Sequence, residues 1–137
     1  MSYKIQQVPL EHVNQIWPSV EQYIADAMEH AADEYTVSDV RVMVTQGTWV
    51  LVVAVDEANT IHGAAVLFYF NRPSERVGFI VAVGGKLVTS KAAWAQLDNI
   101  LRSNGATYIE AAGRESMVRL CSRAGLKSKY TIVGKKL

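Results

Sequence analysis

Residues 76–126 confine this chain to a small set of folds. They read as strand, glycine turn, helix, strand, helix. Residues 76–83 are rich in Val and Ile, which suit a pleated, mostly buried strand. Gly84 and Gly85 stop that run. Thr89 and Ser90 follow, and their hydroxyls can accept from the unpaired first N–H groups of a helix. Gly105 ends that helix as a left-handed cap does. Residues 107–112 predict a second strand, and 114–124 a second helix closed by Gly125. The strand–helix–strand part is a βαβ unit, which pairs its strands in parallel with a right-handed crossover. A helix opening just past a glycine turn also aims N–H groups beyond the strand end, a position that phosphates favour.

The preceding residues predict an antiparallel meander. Residues 49–55 are almost continuously apolar, so both faces of this strand should be covered. Residues 60–70 predict the next strand, and the flanking segments 56–59 and 72–75 have turn composition. Residues 3–8 predict a short first strand that Pro9 ends. Leu10, Val13, Ile16, Val20, Ile24 and Ala27 recur at helical spacing. Pro18 lies inside that pattern and predicts a kink or break near Ile16 and Trp17. Thr36 and Asp39 have the spacing of an approximate capping box. Val37, Val40 and Val44 then line a short helix ended by Gly47, but their β-branching leaves a strand over 37–44 as the alternative. Residues 130–133 predict a closing strand. The order is β-α-α-β-β-β-α-β-α-β: a single α+β domain over residues 1–137, with a mixed central sheet and helices on both faces.

A chain of 137 residues is long enough for one core and too short for two. Half of it is hydrophobic, which excludes a disordered tail, yet its longest apolar run is too short to cross a bilayer. A soluble, cytoplasmic protein is expected. The lone Cys121 forms no internal disulfide. The net charge of +1 hides a split. Residues 11–39 hold seven acids and no Lys or Arg, whereas 113–137 hold seven Lys or Arg and one acid, Glu115. Such a split steers charged ligands or simply solvates two faces. His12, His30 and His62 lack metal-site spacing, and no metal is expected. His12 and His30 read most simply as helix-surface residues. The basic end carries Tyr130 but no recognised nucleic-acid module, so neither nucleic acid nor a membrane is an expected partner.

The element order and length resemble the GNAT superfamily of acyl-CoA-dependent N-acetyltransferases, over nearly the whole chain. The closing helix of that family often reads N-x-x-A-x-x-x-Y-x-x-x-G-F. Here Gly125 and Leu126 fall on its last pair, Arg114 on its Asn, Met117 on its Ala and Cys121 on its Tyr. The size and degenerate motifs look most like divergent phage-encoded members. The resemblance implies acetyl-CoA as cosubstrate, held by Val83, Gly84, Gly85, Lys86, Leu87, Val88, Thr89 and Ser90. The family loop Q/R-x-x-G-x-G/A maps with Lys86 at its basic position and Thr89 and Lys91 in place of its glycines. Cys121 would stand in for the acidic tyrosine, or is a small buried hydrophobe. Glu110 would act as a base through water, or is an ordinary strand-edge acid; Glu75 is a weaker candidate. The implied acceptor is a small-molecule or protein amine, cationic by the charge argument, and a homodimer is compatible. The alternative is a non-catalytic GNAT-like accessory protein that keeps the scaffold, supported by the altered loop and the missing tyrosine.

Overall fold

A computed structural model describes residues 2–31 and 34–137. Five strands form one sheet in sequence order: β1 (Lys4–Gln7), β2 (Val50–Val55), β3 (Ile61–Arg72), β4 (Glu75–Gly85) and β5 (Tyr108–Ala111). The first four are antiparallel neighbours, and β4 pairs β5 in parallel. The helices are α1 (Val13–Met28), α2 (Val37–Thr45), α3 (Lys86–Thr89), α4 (Lys91–Ser103) and α5 (Glu115–Cys121). The expected mixed α+β sheet with helices on both faces is present.

Alternation along the strands divides the core. Leu51, Val53, Val55, Ala64 and Val66 pack with Val20, Ile24, Val40 and Val44 of α1 and α2. Val52, Ala54, Ala65 and Leu67 pack with Trp94, Leu97 and Leu101 of α4 and Met117 of α5. This two-sided burial explains the unbroken apolar sequence of β2. Each fully buried Val or Leu contributes roughly 1.5–3 kcal/mol.

Strand β4 carries the feature that positions the site. Val66 pairs with Ala82 but Leu67 pairs with Ile80, so β4 has one residue more than β3 at Val81. The resulting bulge bends and twists the strand. It also puts Ile80 and Val83, three residues apart, into the same cluster. Pairing with β5 stops at Ile80 and Ala111, while β4 runs on to Gly85. The two parallel strands therefore part beyond Ile80.

Several local expectations change. Helix α1 runs through Pro18 without a break; Asn14, whose carbonyl loses its partner there, is exposed and can turn to water. Residues 37–45 are helix, because Thr36 Oγ1 accepts from Asp39 N–H at 3.1 Å and the Asp39 carboxylate accepts from Thr36 N–H at 2.9 Å. Gly84 and Gly85 belong to β4 rather than ending it. Gly85 makes the turn at φ +67°. Ser90 caps α4, whereas Thr89 closes the single turn of α3. The closing strand expected over 130–133 is absent: that segment is irregular, and Tyr130, Ile132 and Val133 are exposed. Gly125 turns the chain at φ +88° just before this irregular segment.

Candidate active site at the parting of β4 and β5

Close backbone packing builds the walls around the parting strands. A Cβ on Gly84 would lie 2.8 Å from the Tyr23 carbonyl oxygen, so α1 rests directly on β4. A Cβ on Gly63 would lie 2.8 Å from Lys86 N and 3.0 Å from Leu87 N, so the turn into α3 rests on β3. Neither approach tolerates a side chain. Leu87 and Val88 are buried in one cluster with Met117 and Cys121. Trp94 Nε1 donates to the Val88 carbonyl at 3.1 Å, and Ser90 Oγ accepts from Ala93 N–H at 3.1 Å. Lys86, Thr89 and Lys91 are all exposed, as is the turn residue Gly85, and Thr89 closes α3.

The end of α1 closes the other side. Ala31 forms an antiparallel bridge with Gly113, and Arg114 N–H donates to the His30 carbonyl at 3.0 Å. The imidazole of His30 faces α5, with Nδ1 2.8 Å from Ser116 Oγ. Both residues line an open cavity of about 700 Å3, with Glu29, Tyr35, Thr36 and Arg114 on its rim. The helix-surface expectation for His30 misses this contact. Its partner is 86 residues away, and no local pattern could have signalled it.

The residues singled out from sequence lie in different surroundings. Glu110 is the more embedded of the two acids, its side chain only 15% exposed. Arg72 Nη2 donates to its Oε1 and Lys129 Nζ to its Oε2, each at 2.9 Å. The bond from Arg72, aided by that from Lys129, holds this carboxyl below the ordinary carboxylate range. Cys121 is buried with its Sγ 3.7 Å from Met117 Sδ, and burial pushes its thiol up. It stays protonated at neutral pH. Glu75 sits in the β3–β4 turn, 3.9 Å from Arg72 Nη1. His62 pairs with Asp56 at 2.7 Å. His12 ends a short 3-10 turn and is exposed. Among the described residues no three His, Cys, Asp or Glu side chains cluster as metal ligands would. No helix formed by these residues is long and apolar enough to cross a membrane.

No family's sequence model matches the chain. No curated protein matches it in sequence. Solved structures do match in shape. A probable acetyltransferase shares 14% identity over 98% of this chain and 96% of its own, with a TM-score of 0.69. Ribosomal-protein-alanine N-acetyltransferase from Brucella melitensis biovar Abortus 2308 shares 10% over the full length of both, at 0.69. An aminoglycoside acetyltransferase from an uncultured soil metagenomic sample, in complex with sisomicin, shares 9% over 98% and 95%, at 0.69. The fold is that of the GNAT-type acetyltransferases.

Acetyl-CoA fits the outer half of this GNAT fold and not the inner half as it stands. Outside, the exposed Lys86 offers a cation beside the Gly84-Gly85 turn. Inside, the space between the parting strands is taken by His30 and Ala31 on one face and by Leu87, Val88 and Met117 on the other. A thioester could reach Val81–Val83 only after one of these walls shifts.

Proposed function

We propose that this chain is an acyl-CoA-dependent N-acetyltransferase in which an amine attacks the thioester directly. The observation that supports it is the departure of β4 from β5 beyond Ile80, with the glycine turn and a Ser90-capped helix following at once. Residues 83–90 would hold acetyl-CoA, with Lys86 beside its phosphates. The cosubstrate supplies the activated acetyl group. Backbone N–H groups near the bulge would polarise its carbonyl. Glu110 is already ionised, the state a base needs, but its two ion pairs make it a weak one that would work through water. Cys121 would return a proton to the leaving thiolate if that thiolate reached the α3–α5 packing. The acceptor is an amine, small or on a protein. The seven acids and absence of Lys or Arg over residues 11–39 favour a cationic one, as do neighbours named for aminoglycosides and for a ribosomal protein's alanine.

The packed inner half favours a second reading, a GNAT-like scaffold without catalysis. Calorimetric titration with acetyl-CoA separates the two. Saturable micromolar binding that Lys86→Ala weakens and Thr89→Gly preserves supports the enzyme. If wild type gives no heat at millimolar cosubstrate while Thr89→Gly binds, the loop has degenerated and the scaffold reading stands.

A further inference from the structure

We infer that β5 and residues 128–133 form a reciprocal interface between two copies of this chain. In the homodimer the C-terminal segment of each copy enters the groove beside β5 of the other and pairs with it as a sixth strand. The inference stands apart from the acetyltransferase reading and needs no cosubstrate.

The receiving surface is an open sheet edge. The sheet has two edges, and at β1 the side chain of Gln96 bonds to the backbone of Tyr3 and Ile5. At the other edge β5 pairs with β4 alone. Among the described residues no strand lies on its outer side. Such an edge is a template for a further strand about 4.8 Å away. Beside it runs an open groove of about 1150 Å3, with Leu101, Met117 and Val118 among its apolar lining. Apart from the C-terminal segment, its charged lining is three acids, Glu34, Asp98 and Glu110, against one cation, Arg102. Asp98 Oδ1 is buried there without a hydrogen-bond partner. A strand that brings positive charge and donors fits this groove.

Residues 127–136 are such a strand. They hold four lysines and no acid, and their centre, Tyr130 to Val133, is made of residues that suit a pleated strand. Their own chain leaves them unpaired. Among the described residues no backbone hydrogen bond involves 127–137. The segment reaches β5 through one side chain: Lys129 Nζ meets Glu110 Oε2 at 2.9 Å and lies 4.5 Å from the centre of the Tyr108 ring. Tyr130, Ile132 and Val133 are left 60%, 76% and 88% exposed. Own-chain packing thus covers neither the apolar side chains of the segment nor the backbone of the edge.

A second copy covers both. Each copy carries one open edge and one unpaired segment, so two copies satisfy each other about a twofold axis and the assembly closes. The hinge is Gly125, at φ +88° with no atom within 4 Å of where a Cβ would stand. The segment can swing there without breaking a packed contact. Lys129 then meets Glu110 of the second copy, an exchange of like contact for like that makes such dimers accessible.

The test uses the full chain. Sedimentation equilibrium should give twice the chain mass at about 100 μM and dissociation on dilution. Thr131→Pro removes a backbone donor in mid-segment, where a paired strand does not tolerate it. Thr131 is exposed and irregular, so the fold should stand, with amide shifts of α1 and β2 unchanged. Its dimer dissociation constant should rise at least tenfold, and that of Thr131→Val should not rise. In a sample co-refolded from 15N-labelled and 13C-labelled chains, amides of residues 108–111 should show contacts to Tyr130 and Ile132 side chains of the other chain. A wild type that stays monomeric at about 1 mM overturns the inference. So does a dimer that Thr131→Pro leaves intact. Contacts between 108–111 and 130–132 found only within one chain also overturn it, since the segment would then close on its own β5.

Discussion

Gln96 closes the free edge of β1 from across the fold. Its Oε1 accepts from Ile5 N–H at 3.0 Å, and its Nε2 donates to the Tyr3 carbonyl at 2.8 Å. One side chain on α4 thus stands in for a neighbouring strand. An open edge invites pairing with another chain, and covering it is a common protection. Gln96→Leu removes both bonds from partly buried groups. It should cost about 1–3 kcal/mol and raise the tendency to self-associate. Urea midpoints and light scattering on the variant would show both effects; an unchanged midpoint means water replaces Gln96 without loss.

Trp94 joins α3 to α4. It is 2% exposed and its indole N–H bonds to the Val88 carbonyl. Trp94→Ala should cost about 3–5 kcal/mol, as large aromatic truncations do. Trp94→Phe keeps much of the packing and loses the bond, so it isolates the polar part. Amide exchange at residues 86–90 should quicken in both variants if that bond holds the turn in place.

Much of the sheet was legible because its residues are β-branched and its turns are explicit. Residues 49–55, 60–70 and 76–83 lie on β2, β3 and β4, each displaced at its ends by only a few residues. The capping box of α2 overrode the strand preference of its valines, because Thr36 and Asp39 satisfy two otherwise unpaired N–H groups. What the sequence hid depends on tertiary approach. The bulge at Val81 has no residue signature, since Val is equally at home on either side of it. Arg72 and Lys129 meet Glu110 across 38 and 19 residues, and His30 meets Ser116 across 86. Nothing in the sequence around Gly63 distinguishes it within the predicted strand 60–70, yet it is the residue over which the α3 turn folds back.

That role of Gly63 yields a direct test. An added methyl would meet the Gly84 carbonyl at 2.8 Å and Lys86 N at 2.8 Å, both backbone atoms that cannot swing aside. Gly63→Ala should therefore destabilise by about 1–3 kcal/mol, the range for overpacking a core. The strain should appear at the β4–α3 turn, so amide shifts at residues 84–88 should move more than those of α2. A variant as stable as wild type would show that β3 and the turn separate easily.

Glu110 ties the β3–β4 hairpin and the C-terminal segment to β5 through Arg72 and Lys129. Its carboxyl is held below the ordinary value in the folded state, first by the bond from Arg72. The folded chain thus favours the ionised form more than the unfolded chain does. The stabilisation is fully present above the unfolded glutamate pKa of about 4.3 and is lost as pH falls through the lower folded value. Glu110→Gln should accordingly lower the urea midpoint at pH 7, and its difference from wild type should shrink as the medium is acidified past that value. Lys129→Ala should reproduce part of the loss in wild type and almost none in Glu110→Gln, because both changes remove the same contact. Additive losses in the double variant would mean that Lys129 and Glu110 do not meet in solution. The irregular segment after Gly125 would then lack the anchor that Lys129 provides.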